Sequence, residues 1–185
     1  MATPRIVDTV VLRHFGTIDR LDILENRLDR YPLPRCSGVI FHEVFKAAER
    51  EEDGCQRILE SGILGTPHEV KLQDFRAVLD IRRALSFDES DSQEHLGEAE
   101  GIFLADRLHG AFITDDGIAY TFAETNLGSN RVFDTVDLLR EGVAEGELDI
   151  YEAKLVADAI RSSGRFLRSG HPPTLWPEFF ANSSS

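Results

Sequence analysis

The chain has 185 residues, 42% of them hydrophobic, enough to bury one sizeable core and too few for two full domains. Its formal charge of -13 repels a polyanion at long range unless metal ions or a local basic patch offset the field. No run approaches the ~18 apolar residues of a membrane span, and MATPRIVDTVVL lacks the basic region and cleavage site of a secretory signal, so no membrane contact and a cytoplasmic location are expected. Cys36 and Cys55 form no CxxC spacing and read as reduced packing residues.

Apolar runs alternating with amphipathic stretches predict an α/β domain, with helices packed on a mostly parallel sheet. Arg5 to Val7 reads as the first strand, turning at Asp8-Thr9 into one helical region through Val10, Leu12, Phe15, Ile18, Leu21 and Leu24. Pro32 and Pro34 break it ahead of a short apolar segment, Gly38 to Phe41, which leads into Glu43 near an element boundary and then into VFKAAEREE, a helix-like run. Residues 55–85 read as mostly helical, interrupted at Gly62, Gly65 and Pro67, with Val70 to Leu72 as a short extended piece.

After an acidic stretch, Phe87 to Gln93, HLGEAEGIFLADRLHG predicts a helix burying Ala99, Ile102, Phe103 and Leu104 and stopping at Gly110. AFIT follows as a buried strand, then the turn Asp115-Asp116-Gly117 and a helix toward Asn126, closed at Gly128. Arg131 to Phe133 is a further strand, with Asp134 or Thr135 capping VDLLREGVAEG, and IYEAKLVADAIRSS is the last amphipathic helix. The domain is expected to span 1–168; the tail, 169–185, carries Trp176, Phe179 and Phe180 as apolar anchors or as a homodimer contact, with Ser183 to Ser185 disordered.

In open parallel sheets, ligands gather beyond the carboxyl ends of the strands, where Asp8 and Asp116 both fall. Facing carboxylates need a counter-charge, and a set of acids without His or Cys clusters suits Mg²⁺ or Mn²⁺ rather than zinc. His42-Glu43 makes no zinc-protease helix, because Lys46 stands where the second His is required. Singly, each acid has a plainer reading: Asp8 and Asp116 as helix caps, Glu43 as a solvated helix residue, and Glu98 and Glu100 as partners of a helix dipole. Asp134 and Asp137 read as capping and charging their helix, and Arg13, His14, Arg82 and Arg83 as solvated surface, with RNA backbone contact the other option.

Taken together, IVDTVVLRHF, VIFHEVF, GEAEGIFLADRLHGAFITDD and RVFDTVDLLREGVAEGEL resemble, in order and spacing, the PIN-domain family, in particular the subgroup related to toxin ribonucleases of bacterial toxin-antitoxin pairs. The resemblance spans about residues 5–168 and implies a PIN-like three-layer α/β/α sandwich. It implies metal-dependent hydrolysis of RNA, with Asp8, Glu43, Glu98 or Glu100, and Asp116 as the acids and Thr114 orienting water or a ligand carboxylate. Asp115 is then a neighbour. Glu98 and Glu100, two positions apart and about 200° around a helix, cannot both face one site; Glu100 is the preferred ligand, with Glu98 behind it.

Two positions depart from the family: Val10 stands where a small polar residue is common and Asp134 where Gly is frequent. The implied partners are RNA and a basic antitoxin-like protein; the alternative is a PIN-like interaction module that has lost catalysis. A response-regulator-like switch is disfavoured, because the adjacent acids are Asp115-Asp116 and no Lys closely follows the RVF strand.

Overall fold

A computed structural model describes residues 3–50, 52–86 and 95–168; the acidic stretch Phe87 to Gln93 and the expected aromatic tail lie outside the described residues. The elements, in chain order, are β1 (Arg5–Val7), α1 (Thr9–Thr17), α2 (Leu21–Leu28), α3 (Gly38–Glu49), α4 (Asp53–Ser61), α5 (Phe75–Leu85), α6 (Leu96–Arg107), β2 (Ala111–Ile113), α7 (Gly117–Leu127), β3 (Val132–Phe133), α8 (Thr135–Ala144) and α9 (Ile150–Ser162).

The fold is α/β, as expected. The strands form a parallel sheet in the order β1-β2-β3, so β2 lies between its sequence neighbours and every carboxyl end points the same way. The three residues of β1 and of β2 are all buried; β2 is apolar throughout, whereas β1 opens on Arg5, whose buried guanidinium pairs with Glu141. The outer edge of β1 is also partnered: the Val7 amide donates to the Arg35 carbonyl at 2.8 Å, and Ser37 makes an isolated parallel bridge with His68. Single hydrogen bonds there satisfy backbone groups that a bare edge would leave open. No described helix is long and apolar enough to cross a membrane.

Several local expectations need correction. The first helical region is two helices, because the chain turns at Ile18–Arg20 with Asp19 in the left-handed region at φ 57°. Gly38 to Phe41 is the first turn of α3, so Glu43 sits inside a helix rather than near an element boundary. Ser37 caps that helix by accepting from the Ile40 amide, and Ile40, Val44, Ala47 and Ala48 recur on one buried face. The short extended piece expected at Val70 to Leu72 is no strand: the isolated bridge nearby is made by His68, and Leu72–Asp74 forms a 3₁₀ turn.

Helix α6 ends at Arg107, and the left-handed residue beyond it is His109 at φ 51°, not Gly110. Gly110 is required for another reason: a Cβ there would lie 2.4 Å from the Pro4 carbonyl oxygen. Arg131 belongs to a 3₁₀ turn ahead of β3, and Asp134, not Thr135, caps α8. Phe103 is only partly buried, whereas Gly97, Glu100, Gly101 and Ala105 join Ala99, Ile102 and Leu104 on the covered side of α6. Both cysteines are buried and unbridged, which fits a packing role.

Candidate metal centre

Three chain reversals deliver acids to the carboxyl end of the sheet. After β1, Asp8 caps α1, one carboxylate oxygen accepting from the Thr9 amide at 2.7 Å. After β2, Asp116 caps α7 by accepting from the Ala119 amide at 2.7 Å. After β3, Asp134 caps α8 in a reciprocal box with Asp137. The plain capping readings are thus correct as far as they go, and they leave oxygen atoms over.

The second oxygen of Asp8 accepts from the Thr114 hydroxyl at 2.7 Å, and that same hydroxyl oxygen receives the Asp116 amide at 3.0 Å. Thr114, itself wholly buried, therefore fixes the loops of β1 and β2 to each other. Glu43 enters from α3, where it accepts a hydrogen bond from the Thr9 hydroxyl. Its carboxylate lies against Gly97: a Cβ on that glycine would be 2.8 Å from a Glu43 oxygen, so a larger residue would push the carboxylate aside.

Asp8, Glu43, Glu98 and Asp116 line one depression of about 650 Å³, together with Thr9, Arg13, His14, Asp115, Arg165 and Phe166. Glu98, on the first turn of α6, comes nearest Asp116: ligand atoms of His95, Glu98 and Asp116 all lie within 4.8 Å of one another. Glu100 goes elsewhere. Its carboxylate accepts from the Val39 amide at 3.1 Å, at the amino end of α3, so the chain brings Glu98 to the depression and uses Glu100 to join α6 to α3. Glu98 rather than the preferred Glu100 lines the depression, as follows from a helix that turns its residues about 200° over two positions.

The electrostatics describe repelled acids. Burial pushes the Asp8 carboxyl well above its ordinary value, and the charges of Glu98 and Glu43 push it further, against hydrogen bonds from Thr114 and Thr9. Burial also raises Glu43, as do Glu98 and Glu100, and it raises Glu98, with Asp116 adding to the effect. Among the described residues no Lys or Arg forms an ion pair with Asp8, Glu43, Glu98 or Asp116. Arg13, on the rim of the same depression, partly offsets the rise at Glu43, and His95 lies 3.6 Å from Glu98, but no Lys or Arg among the described residues pairs directly with the four acids, and clustered carboxylate oxygens are the donor set that a hard divalent cation favours.

Asp115 has another occupation. One of its oxygens takes the Thr135 hydroxyl, the Thr135 amide at 3.2 Å and His14 Nδ1 at 3.2 Å, and the other accepts from the Arg168 amide at 3.0 Å. It ties the end of β2 to α1, to the start of α8 and to the segment after α9, so its role beside Asp116 is to hold the walls. The sequence reading missed His95, Arg165 and Phe166 as neighbours of the acids. Arg13 and His14, read as solvated, line the depression; their spacing from Val10 on one face of α1 was the available signal.

Compared with protein-family models, curated proteins and solved structures, the chain matches none.

Proposed function

We propose that this chain is a PIN-like ribonuclease, a three-layer α/β/α sandwich that hydrolyses RNA phosphodiester bonds with Mg²⁺ or Mn²⁺ held by Asp8, Glu43, Glu98 and Asp116. The observation that carries the reading is the convergence of these four carboxylates, from the loops after β1 and β2 and from α3 and α6, on one depression without a Lys or Arg ion pair among the described residues. A bound divalent ion would supply charge neutralisation there and an activated water for in-line attack on phosphorus. The chain's own residues do the positioning. Thr114 holds Asp8 and the Asp116 backbone in fixed relation, Thr9 orients Glu43, and Gly97 leaves room for the Glu43 carboxylate.

The test is cleavage of labelled single-stranded RNA in Mn²⁺. Asp8→Asn and Asp116→Asn should each bring cleavage below detection while leaving a cooperative thermal transition, because each amide oxygen still caps its helix. Undiminished cleavage in both variants would sink the site. The finer reading, that the chain is the toxin of a toxin-antitoxin pair, rests on the resemblance together with the charge of -13, which suits a basic antitoxin-like partner. Affinity capture from the native cell should recover a small basic protein bound to the chain, and its absence removes the toxin subtype while leaving the nuclease.

A further inference from the structure

A protein of charge -13 with an acidic cavity must still admit a phosphate, and one flank of the same depression is basic. Arg13 reaches it from α1, and Gly164, Arg165 and Phe166 reach it from the segment after α9. Gly164 turns the chain at φ 80°, and the Arg165 Nε–H donates to the Thr17 hydroxyl at 3.0 Å. That bond fixes the guanidinium without neutralising it, and Arg165 forms no ion pair among the described residues. Arg13 pairs with Glu52, whose other oxygen lies 3.7 Å from Arg50, so that carboxylate is already shared. Burial first, and then the charge of Arg13, lower the Arg165 pKa, against an opposing effect of Cys55 and Glu52.

Phe166 stands beside them, 70% exposed, on a segment whose next residues are pinned. Leu167 is buried in the core, the Arg168 amide donates to Asp115, and the Arg168 guanidinium pairs with Asp134 at 2.9 Å and stacks 3.4 Å from the Tyr120 ring centroid. An aromatic ring presented to solvent on an anchored segment loses little freedom when a flat partner covers it.

We propose that Arg13 and Arg165 form a phosphate-binding flank of the acidic depression, on which the backbone of single-stranded RNA lies while an unstacked base covers Phe166. The inference rests on the ribonuclease reading and supplies what the net charge leaves missing: local cations that set the strand beside the carboxylates. It selects single strands, because a base within a duplex has no free face for the ring.

The experiment is fluorescence anisotropy with a fluorescein-labelled oligouridylate of about 12 nucleotides, using the full chain in Ca²⁺ to slow cleavage, at several salt concentrations. Removing two phosphate contacts should flatten the log–log salt dependence by about 1.4, at about 0.7 per contact on single strands. Arg13→Ala/Arg165→Ala should therefore bind at least about tenfold more weakly with that shallower slope. Arg165→Ala alone, which costs only the Thr17 bond, should show half the change in slope, and Arg57→Ala, a control off the depression, none. Phe166→Ala should lose about fivefold or more with the slope unchanged.

Wild-type slope and affinity in the double variant and in Arg165→Ala overturn the proposal, as does equal affinity for a duplex of the same length. If that result comes with Mn²⁺-dependent cleavage intact, the flank fails and the ribonuclease reading stands. If the wild-type chain neither binds Mn²⁺ nor cleaves RNA, the parent reading fails and the flank with it.

Discussion

Thr114 and Asp8, 106 residues apart in the chain, are joined by a 2.7 Å hydrogen bond in which the threonine hydroxyl donates and the buried carboxylate accepts. The same oxygen then receives the Asp116 amide at 3.0 Å. One hydroxyl thus compensates a buried anion on one strand loop and a backbone donor on the next.

Thr114→Val removes both partners at once while keeping the shape. Leaving a buried acceptor and donor unpaired costs about 1–3 kcal/mol, and Thr114→Ser should recover most of it. Because the Thr114 bond lowers the Asp8 pKa, its loss moves that carboxyl further upward, so protons compete better with metal. The expected result is a lower Tm in EDTA and weaker Mn²⁺ binding by titration calorimetry, with both defects repaired by serine. A valine variant that matches wild type in both measurements would remove Thr114 from the site.

Glu98 and Glu100 provide a contrast on a single helix. The Glu98 pKa is raised in the folded chain, by burial first and with Asp116 contributing, so its stabilising contribution fades as pH rises through that folded value. Wherever it is charged and no metal is bound, the Glu98 side chain opposes folding. Glu98→Gln should then raise the Tm in EDTA and abolish the stabilisation that Mn²⁺ gives wild type. Glu100→Ala should do the reverse. It loses the bond to the Val39 amide, at a cost of about 1–2 kcal/mol, while the Mn²⁺-induced rise in Tm remains. A swapped pattern in thermal melts with and without Mn²⁺ would return Glu100 to the site and displace Glu98.

The legible part of this fold is the part encoded locally. Ile6-Val7 and Ala111–Ile113 are short apolar runs followed by capping acids, so both strands and the helices after them could be read from neighbours in sequence. Glu43 was misplaced because Gly38-Val39-Ile40-Phe41 carries no helical signature by itself; the decisive features are the Ser37 cap and the burial of Ile40 and Val44 against elements far away in the chain. Glu98 and Glu100 could be separated in angle but not assigned a face, since that depends on which side of α6 meets the sheet and on Val39 waiting for one of them. Arg165 and Phe166 were invisible for a similar reason. What places them at the acids is the Asp115 bond to the Arg168 amide, a contact across 53 residues with no pattern in either segment.

Asp137 supplies a pH test independent of metal. It accepts the Asp134 amide at 3.1 Å in the α8 capping box, and burial, followed by the Asp134 charge, lifts its carboxyl from 3.8 to about 6. The folded chain therefore binds this proton more tightly than the unfolded chain. Its contribution to stability is complete below pH 3.8, declines as pH rises, and is lost above about pH 6. Asp137→Asn keeps an acceptor for the Asp134 amide and removes both the burial of a charge and its repulsion by Asp134, but it also gives up the attractions of Arg140, at 3.5 Å, and of Arg168. A shift of two units corresponds to at most about 3 kcal/mol, and the lost Arg140 attraction brings the expected gain to about 1 kcal/mol at pH 7.5. That is a rise in Tm of about 2–4 °C for a chain of this size, shrinking to nothing near pH 4. Thermal melts from pH 4 to pH 8 in EDTA check it: curves for wild type and Asp137→Asn should converge in acid and separate above pH 6, and curves that run parallel throughout would show that the buried Asp137 charge beside Asp134 does not govern this end of α8.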